Sequence, residues 1–398
     1  MKNKTLLSLA LGVYVASSVL SYVVFAQFGS GSNSLLSNEQ SATEDPEQTA
    51  LGALLDIDSS APKDQVCPLN GQYYTLAEKD AWEARRPLAV MIENSPDARP
   101  QSGLSQSDIV FEAVAEGGVT RFMAFFYCDV QRFDTTIAPV RSARTYYLDW
   151  ASGFNYPMYV HVGGANIPGP TNALGQIGDY GWNLQNDMNQ FSIGYPTFVR
   201  NANRLGRQVA TEHTMETTTE LLWDVAEDRD WTNIAPARRV AGKAVPASDW
   251  KDGYTGWTFQ SEAPSDGSVT SVAYDFWSGY NQYSVKWEYD PAAKAYKRIM
   301  AGEAHTDLNN DEQIMASNVI VMLTEEKGPL NEAKHMMYKT IGAGEALIFK
   351  NGQAIEGRWV KESRMAELQF VDKKGDTIEL ARGLTWISVV DDSTEVEY

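Results

Sequence analysis

The chain has 398 residues, of which 43% are hydrophobic and 21% are charged, as expected for a packed globular protein rather than a disordered one. Its formal net charge is −19, from 33 basic and 52 acidic residues, and this charge opposes nonspecific binding to nucleic acid. Two cysteines exclude a disulfide-dense scaffold and a four-cysteine zinc site, and four scattered histidines argue against a histidine-rich metal centre. We therefore expect no metal and no cofactor.

The chain begins with an export or membrane signal. Two lysines in the first four residues precede the uncharged run Leu6–Phe28. Positive charge before an apolar run predicts that the rest of the chain lies outside the cytoplasm. The run is longer than an ordinary signal-peptide core, which favours a membrane anchor within residues 1–28. The alternative is a cleaved signal peptide, because Val24 and Ala26 occupy positions −3 and −1 of a possible cleavage site before Gln27. The sequence therefore predicts an extracytoplasmic protein, either anchored to the cell membrane or secreted.

A polar segment follows the signal. Residues 29–65 are rich in serine, asparagine and glycine and hold seven acidic residues against one lysine, which predicts a flexible acidic linker. Cys67 and Cys128 come after this linker. Because an exported chain meets an oxidising compartment, we predict a disulfide between them, with two buried free thiols as the alternative.

The basic residues divide the rest of the chain. From Asp80 to Gly242 there are thirteen arginines and no lysine, whereas from Lys243 onward there are twelve lysines and four arginines. We place a domain junction between residues 235 and 251, so that an N-terminal domain covers 66–235 and a C-terminal domain covers 251–398.

The N-terminal domain mixes two kinds of pattern. Short apolar runs bounded by turn residues predict strands, and two segments with helical spacing predict helices, one of them capped by Thr214. This mixture indicates an α+β or α/β domain. The predicted strands are Leu88–Ile92, Ile109–Val114, Phe122–Tyr127 and Met158–Val162, and the predicted helices are Arg141–Ser152 and Thr214–Glu227.

The C-terminal domain alternates apolar and polar residues between turn signals such as Asn351-Gly352, which predicts a mostly antiparallel β domain, as a sandwich or barrel. The predicted strands are Ser271–Phe276, Gln282–Tyr289, Tyr296–Met300, Asn318–Leu323, Ala346–Phe349, Ile355–Val360, Glu367–Val371 and Trp386–Val390.

Four arginines are candidate ligand-binding residues. Arg99, Arg121, Arg141 and Arg144 each lie near Pro, Gly or Ser in a predicted loop or strand end. A guanidinium group binds a carboxylate or phosphate through two parallel hydrogen bonds, so a cleft lined by these residues would hold an acidic ligand. The alternative is that they pair with the nearby carboxylates of the same domain.

Two histidines are also candidates. His161 ends a predicted strand before Gly163-Gly164, and His213 precedes a predicted helix. Either could contact a ligand or act as an acid or base, with Glu112 or Glu116 as its partner. The alternative is that both are packing or capping residues, because no spacing in the sequence identifies a catalytic pair.

Several segments resemble one known family. In the first domain they are Arg86–Asn94, Ala98–Leu104, Glu116–Arg121, Ala138–Arg144, His161–Gly164 and Glu212–Met215, and in the second Gly302–Asp307, Asn318–Val321 and Gly383–Ile387. In this order they resemble the YerB-like lipoproteins, a bacterial two-domain family of unknown function. The resemblance implies an exported, envelope-attached protein and provides no catalytic residue. Relatives carry a lipidation cysteine after the signal, and its absence here favours a protein anchor.

Three functions remain open at this point. The favoured one is an envelope binding protein that holds an acidic cell-wall glycan, a peptide or a partner protein in an arginine-lined cleft of the first domain. The second is an enzyme acting on envelope polymer with His161 or His213 as acid or base. The third is a scaffold that docks envelope proteins through the β domain.

Overall fold

The computed structural model describes residues 54–58, 60–240 and 242–398. The predicted anchor or signal and most of the predicted linker lie outside the described residues. In the part that is described, no helix combines the length and the apolar character needed to cross a membrane.

All the α-helices of the described ranges fall between residues 76 and 228. They are α1 (Leu76–Glu83), α2 (Thr145–Ser152), α3 (Ala173–Asp179), α4 (Gln190–Ile193) and α5 (Thr219–Asp228). Single 3₁₀ turns occur at Pro96–Ala98, Leu104–Gln106, Trp182–Leu184, Thr211–His213 and Asn281–Tyr283.

Strands make up most of the regular structure. In the first half of the chain they are β1 (Gln65–Val66), β2 (Tyr73–Tyr74), β3 (Leu88–Glu93), β4 (Ile109–Glu116), β5 (Val119–Phe126), β6 (Thr136–Ile137), β7 (Met158–His161), β8 (Asp187–Asn189), β9 (Val199–Arg200) and β10 (Met215–Thr218). In the second half they are β11 (Ile234–Ala235), β12 (Arg238–Val240), β13 (Lys243–Val245), β14 (Ser248–Asp249), β15 (Ser271–Tyr274), β16 (Val285–Asp290), β17 (Ala295–Met300), β18 (Glu303–Ala304), β19 (Met315–Ala316), β20 (Asn318–Thr324), β21 (Glu326–Lys327), β22 (Met337–Tyr338), β23 (Gly342–Lys350), β24 (Gln353–Lys361), β25 (Gln369–Val371), β26 (Thr385–Asp391) and β27 (Val396–Glu397).

One mixed sheet of ten strands forms the centre of the fold. Its order is β25-β24-β23-β20-β26-β4-β5-β3-β7-β8, so five strands come from each half of the chain. The two halves join where β26 runs parallel to β4, with Thr385 opposite Ile109 and Ser388 opposite Glu112. The two segments that the sequence analysis treated as separate domains, 66–235 and 251–398, thus share one hydrogen-bonded sheet.

The central strands are apolar on both faces. Every residue of β3 and of β20 is buried, as are the first seven residues of β4. A strand that is covered on both faces consists of consecutive hydrophobic residues rather than of alternating hydrophobic and polar residues. These strands could therefore be predicted from the sequence. The sheet is therefore the core of the molecule.

A smaller sheet packs against this core. Its strand order is β18-β17-β16-β15-β27, and β19 also pairs with β17. In β15 and β16 buried and more exposed residues alternate, so one face of the small sheet is turned to the core and the other to solvent. On the inner side, Arg298 of β17 places one guanidinium nitrogen 2.7 Å from the Glu112 carboxylate of β4, and both side chains are fully buried.

A buried polar cluster surrounds this ion pair. Arg298 donates from Nε to His305 Nδ1 at 2.9 Å, and His305 Nε2 lies 2.8 Å from the Gln101 side-chain oxygen. Burial and the charge of Arg298 lower the pKa of His305, so the ring stays neutral and its Nδ1 can accept the hydrogen bond from Arg298. Glu112 also accepts hydrogen bonds from Thr120 and Trp386. Side chains from both sheets therefore surround the buried Glu112 carboxylate, with the charge of Arg298 from the small sheet and hydrogen bonds from the central sheet.

The mixed character of the first segment and the antiparallel pairing in the second are confirmed. All α-helices of the described residues lie in the first segment, and β15 to β18 and β23 to β25 pair antiparallel. The expectation of a self-contained sandwich or barrel in the second segment is wrong, because β20, β23, β24, β25 and β26 extend the sheet that the first segment begins.

One helix begins later than predicted. Thr214 was expected to cap a helix, but Met215–Thr218 form β10, which pairs with β6 on one side and β9 on the other. The helix α5 begins only at Thr219, where the Thr218 hydroxyl accepts a hydrogen bond from the backbone of Leu221. A second threonine with the same capping chemistry lies four residues downstream, and only the strand pairing decides between the two.

The structure joins Cys67 and Cys128 by a disulfide between the start of the described core and the end of β5, with a Cα to Cα distance of 6.0 Å. Both cysteines are buried. The Asp108 carboxylate, next to them, accepts hydrogen bonds from the backbone of Tyr127 and Cys128 and from the Asn70 side chain.

We predict that reducing this disulfide lowers the free energy of unfolding. For a sequence separation of 61 residues, the chain-entropy model gives a loss of about 4 kcal/mol. The measurement is denaturant unfolding with and without reductant, together with thiol labelling of the denatured, unreduced protein. Ready labelling of both cysteines without reductant would contradict the bridge.

We also predict that Arg298→Met costs about 3–5 kcal/mol of unfolding free energy, because it leaves the Glu112 carboxylate buried without its cation. The double variant Arg298→Met/Glu112→Gln should recover part of this loss, since a neutral glutamine keeps an acceptor oxygen without the charge. Urea denaturation of Arg298→Met, Glu112→Gln and the double variant measures the coupling. Losses that simply add in the double variant would show that the pair is not energetically coupled.

Candidate functional site

The carboxyl ends of the parallel strands meet at one edge of the central sheet. Strands β20, β26, β4, β3, β7 and β8 all run in the same direction, because β5 pairs antiparallel with both β3 and β4. In open α/β sheets, ligands bind at the carboxyl edge where neighbouring strands separate. Glu93, Glu116 and His161 are the last residues of β3, β4 and β7, so all three lie at this edge.

Two of these strands separate at the edge. Strands β3 and β7 pair only as far as Val90 and Val160. Beyond this point the segment after β6 is inserted between them: the Arg141 backbone donates to Met91 at 2.8 Å, and its carbonyl accepts from Val162 at 3.0 Å. This insertion places the Arg141 backbone between the two strand ends, the position at which open α/β sheets form a ligand-binding crevice.

Glu116 holds two of the predicted arginines. Arg121 donates to one carboxylate oxygen at 2.6 Å, and Arg144 donates to the other from Nε and a terminal nitrogen at 3.0 and 2.7 Å. Burial alone raises the pKa of the Glu116 carboxyl, but the two guanidinium groups outweigh it and lower the pKa to about 2. Glu116 is therefore a fixed anion, and both arginines are committed to it.

Glu93 holds Arg141 and His213. One carboxylate oxygen lies 3.2 Å from Arg141 Nε, an ionic contact without hydrogen-bond alignment, and the other accepts from His213 Nδ1 at 2.9 Å. The Arg141 side chain is 25% exposed. Within the described ranges, no residue accepts a hydrogen bond from its guanidinium group, so this arginine is held in place while its terminal N–H groups stay available.

Arg99 is held mainly by neutral groups. It donates to the side-chain and backbone oxygens of Asn94, both at 3.0 Å, and to the Gln282 carbonyl at 2.8 Å. Its guanidinium carbon lies 5.1 Å from the ring centre of Tyr283. Burial lowers the pKa of Arg99 to about 10, which leaves it charged at neutral pH. It links the first segment to the small sheet.

His161 is enclosed. Its Nδ1 lies 2.6 Å from the Gly163 carbonyl and its Nε2 lies 2.6 Å from the Asp187 carboxylate at the start of β8. The side chain is fully buried. Both ring nitrogens are occupied, so the ring orients the loop after β7 and offers no free atom to a ligand.

The structure therefore brings the predicted residues to one edge but gives them different surroundings. Arg121 and Arg144 share one carboxylate, Arg141 and His213 share another, and Arg99 and His161 lie to either side. The carboxylates suggested as histidine partners are engaged elsewhere, Glu112 with Arg298 and Glu116 with two arginines.

The residues that the sequence analysis did not select as histidine partners are Glu93, which it considered only as a partner for the arginines, and Asp187. Each binds a predicted histidine, across 120 residues for His213 and 26 residues for His161. One signal was present, because Glu93 directly follows the apolar run Leu88–Ile92 and a carboxylate at the end of a buried strand needs a cation. Which cation it finds depends on the fold.

Comparison with known proteins gives a consistent result. Residues 75–232 match the model described as "Protein of unknown function (DUF3048) N-terminal domain", and residues 272–387 match the corresponding C-terminal domain. A curated relative, "Putative lipoprotein YerB" of Bacillus subtilis (strain 168), is 28% identical over 318 residues, which cover 77% of this chain and 82% of the relative. The crystal structure of the YerB protein from Bacillus subtilis is similar with a TM-score of 0.65 and 25% identity, over 84% of this chain and 100% of that one.

We predict that Glu116 makes the protein acid-sensitive in a defined window. Its folded pKa lies below the ordinary value of 4.5, so its contribution is present above that value and is lost as the pH falls towards about 2. The loss should be about 3 kcal/mol of unfolding free energy. The Glu116→Gln variant should lack this part of the pH dependence in denaturation series across the window. Glu227→Gln, on the exposed side of α5, is the control, and equal slopes in both variants would contradict the assignment.

Proposed function

This chain belongs to the DUF3048 family, and from that premise we propose that it is an envelope-attached, extracytoplasmic binding protein that holds an acidic ligand against Arg141. The ligand would be a carboxylate or phosphate group of a cell-wall glycan, a peptide or a partner protein. The crevice between β3 and β7 is the binding place.

The availability of the Arg141 guanidinium group carries this proposal. Arg121 and Arg144 donate to Glu116, and Arg99 donates to Asn94 and a carbonyl. Among these four arginines, and within the described chain, only Arg141 has a guanidinium group that donates no hydrogen bond while remaining partly exposed. A guanidinium held from one side by Glu93 and open on the other can bind an anion through two hydrogen bonds.

The local charge supports an acidic ligand. Three guanidinium groups, those of Arg121, Arg141 and Arg144, contact two carboxylates, Glu93 and Glu116, in the described part of this edge. This cluster of ion pairs thus holds one more cation than anion, within a protein whose net charge is −19. Such a local excess attracts anions, and the negative remainder of the protein disfavours nonspecific binding to polyanions.

The location follows from two separate arguments. The uncharged run Leu6–Phe28 after two lysines predicts export and anchoring or release. The relative from Bacillus subtilis is itself named a lipoprotein, which is a property of that protein. Together they support a protein that acts at the outer side of the cell membrane.

A second candidate function rests on His213. Its ring forms a hydrogen bond with Glu93 beside Arg141, and a histidine oriented by a carboxylate next to an anion-binding arginine is an arrangement used in acid–base catalysis.

One experiment distinguishes the binding protein from the enzyme. Purified envelope fractions are incubated with the full chain, and mass spectrometry determines which components are retained and whether their masses change. Retention without change supports binding, and altered masses support the enzyme.

We predict that Arg141→Lys weakens retention of an acidic envelope component by roughly 1–3 kcal/mol, because lysine keeps the charge but loses the planar two-point geometry. Its thermal stability should stay close to that of the wild type. Arg144→Lys is the matched control: it breaks the paired contact with Glu116, so it should lower the melting temperature and leave retention intact.

Unchanged retention in Arg141→Lys would make the binding proposal wrong. If the wild type retains no acidic envelope component but captures envelope proteins through the β segment, the scaffold alternative replaces the binding proposal.

A further inference from the structure

A second, separate groove lies at the same edge of the molecule. It has a volume of about 1040 Å³ and runs between the solvent-facing side of the small sheet and the ends of two central strands. Its floor includes Ala273 and Ile299, and Phe276 and Trp277 form part of its wall. A groove of this size, with a mixed polar, apolar and aromatic lining, is comparable with the larger ligand-binding sites of proteins.

The groove lies where strands β20 and β26 end. Asp391 is the last residue of β26, and Glu326 follows β20 by two residues. Glu326 accepts a hydrogen bond from the Trp277 indole N–H at 2.6 Å and another from the Tyr338 hydroxyl at 2.6 Å. The carboxylate and the indole are thus fixed relative to one another in the groove wall before any ligand binds.

Carboxylates dominate its polar lining. Six acidic side chains line the groove, and they are Asp275, Glu288, Glu326, Asp391, Glu395 and Glu397. The lining cation, Lys286, is already paired with Glu288 at 2.6 Å. No basic residue within the described ranges pairs with Asp275, Glu395 or Glu397, and all three are exposed. The groove therefore presents uncompensated negative charge over an apolar floor.

We propose that this groove binds an extended, lysine-bearing peptide segment of a partner protein. Lysine supplies both parts that the groove complements, since its ammonium group pairs with carboxylates and its aliphatic stem packs on apolar surface. Trp277 adds an aromatic ring beside the carboxylates, where an ammonium group is also attracted. Glu397 lies in β27 and Glu395 directly precedes that strand, and both side chains line the groove. Two carboxylates two residues apart match cations two residues apart on an extended chain.

This inference does not depend on the proposed function. The crevice at Arg141 is positive and would hold an anion, whereas the groove is negative and would hold a cation. A failure of either experiment leaves the other unaffected.

The test uses the full chain and a fluorescein-labelled peptide of alternating lysine and alanine, with binding followed by fluorescence anisotropy. The wild type should bind this peptide and not a peptide of alternating glutamate and alanine, and the affinity should fall as salt rises. The triple variant Asp275→Asn/Glu395→Gln/Glu397→Gln should bind about tenfold more weakly, because three exposed ion pairs are lost.

The matched control removes the same charge elsewhere. Asp224→Asn/Glu227→Gln/Asp228→Asn changes three exposed carboxylates on or beside the solvent face of α5, far in sequence from the groove. It should leave peptide affinity within about twofold, and thermal unfolding should confirm that both triple variants are folded. Equal losses in the two variants would show attraction by net charge alone and overturn the proposal. Displacement of the peptide by spermine or Ca²⁺ at equal concentration would overturn it as well.

Discussion

The buried charge of Glu112 constrains the rest of the fold. Its carboxylate lies at the centre of the ten-stranded sheet, and its cation, Arg298, comes from the small sheet formed by the second half of the chain. The guanidinium is enclosed by Trp287 and Trp386, at 5.0 and 4.2 Å from the ring centres. An unpaired charge in such a place costs several kcal/mol. Each half of the chain therefore supplies what the other needs, and the two halves pack as one core.

The parallel pairing of β26 with β4 has a second consequence. It aligns the carboxyl ends of strands from both halves at one edge, and two places of opposite charge result. At one, the segment carrying Arg141 separates β3 from β7. At the other, β20 and β26 end beside an acidic groove with Trp277 in its wall. A protein with both could contact an anionic ligand and a cationic partner from the same side.

The segment from Asp80 to Gly242, which has thirteen arginines and no lysine, uses its arginines in two ways in this structure. Arg121 and Arg144 use the planar guanidinium fork to hold the Glu116 carboxylate, and Arg99 uses it to join a loop to the small sheet. Lysine has no such fork and could not make these contacts. Arg141 is the exception, because its contact with Glu93 leaves its terminal N–H groups available. Residue type alone could not separate the arginines that are fully engaged from the one whose terminal N–H groups stay available.

What the sequence determined by itself is local. Apolar runs such as Leu88–Ile92 and Asn318–Leu323 marked strands, because a strand buried on both faces needs no other residue types. The motifs also placed the chain in its family. The tertiary structure alone decided which strands pair, that Thr218 rather than Thr214 caps α5, and that Glu93 meets His213 across 120 residues. The periodicity of a sequence indicates whether a residue is buried. It does not indicate which residue lies beside it in space, because that depends on how distant segments pack.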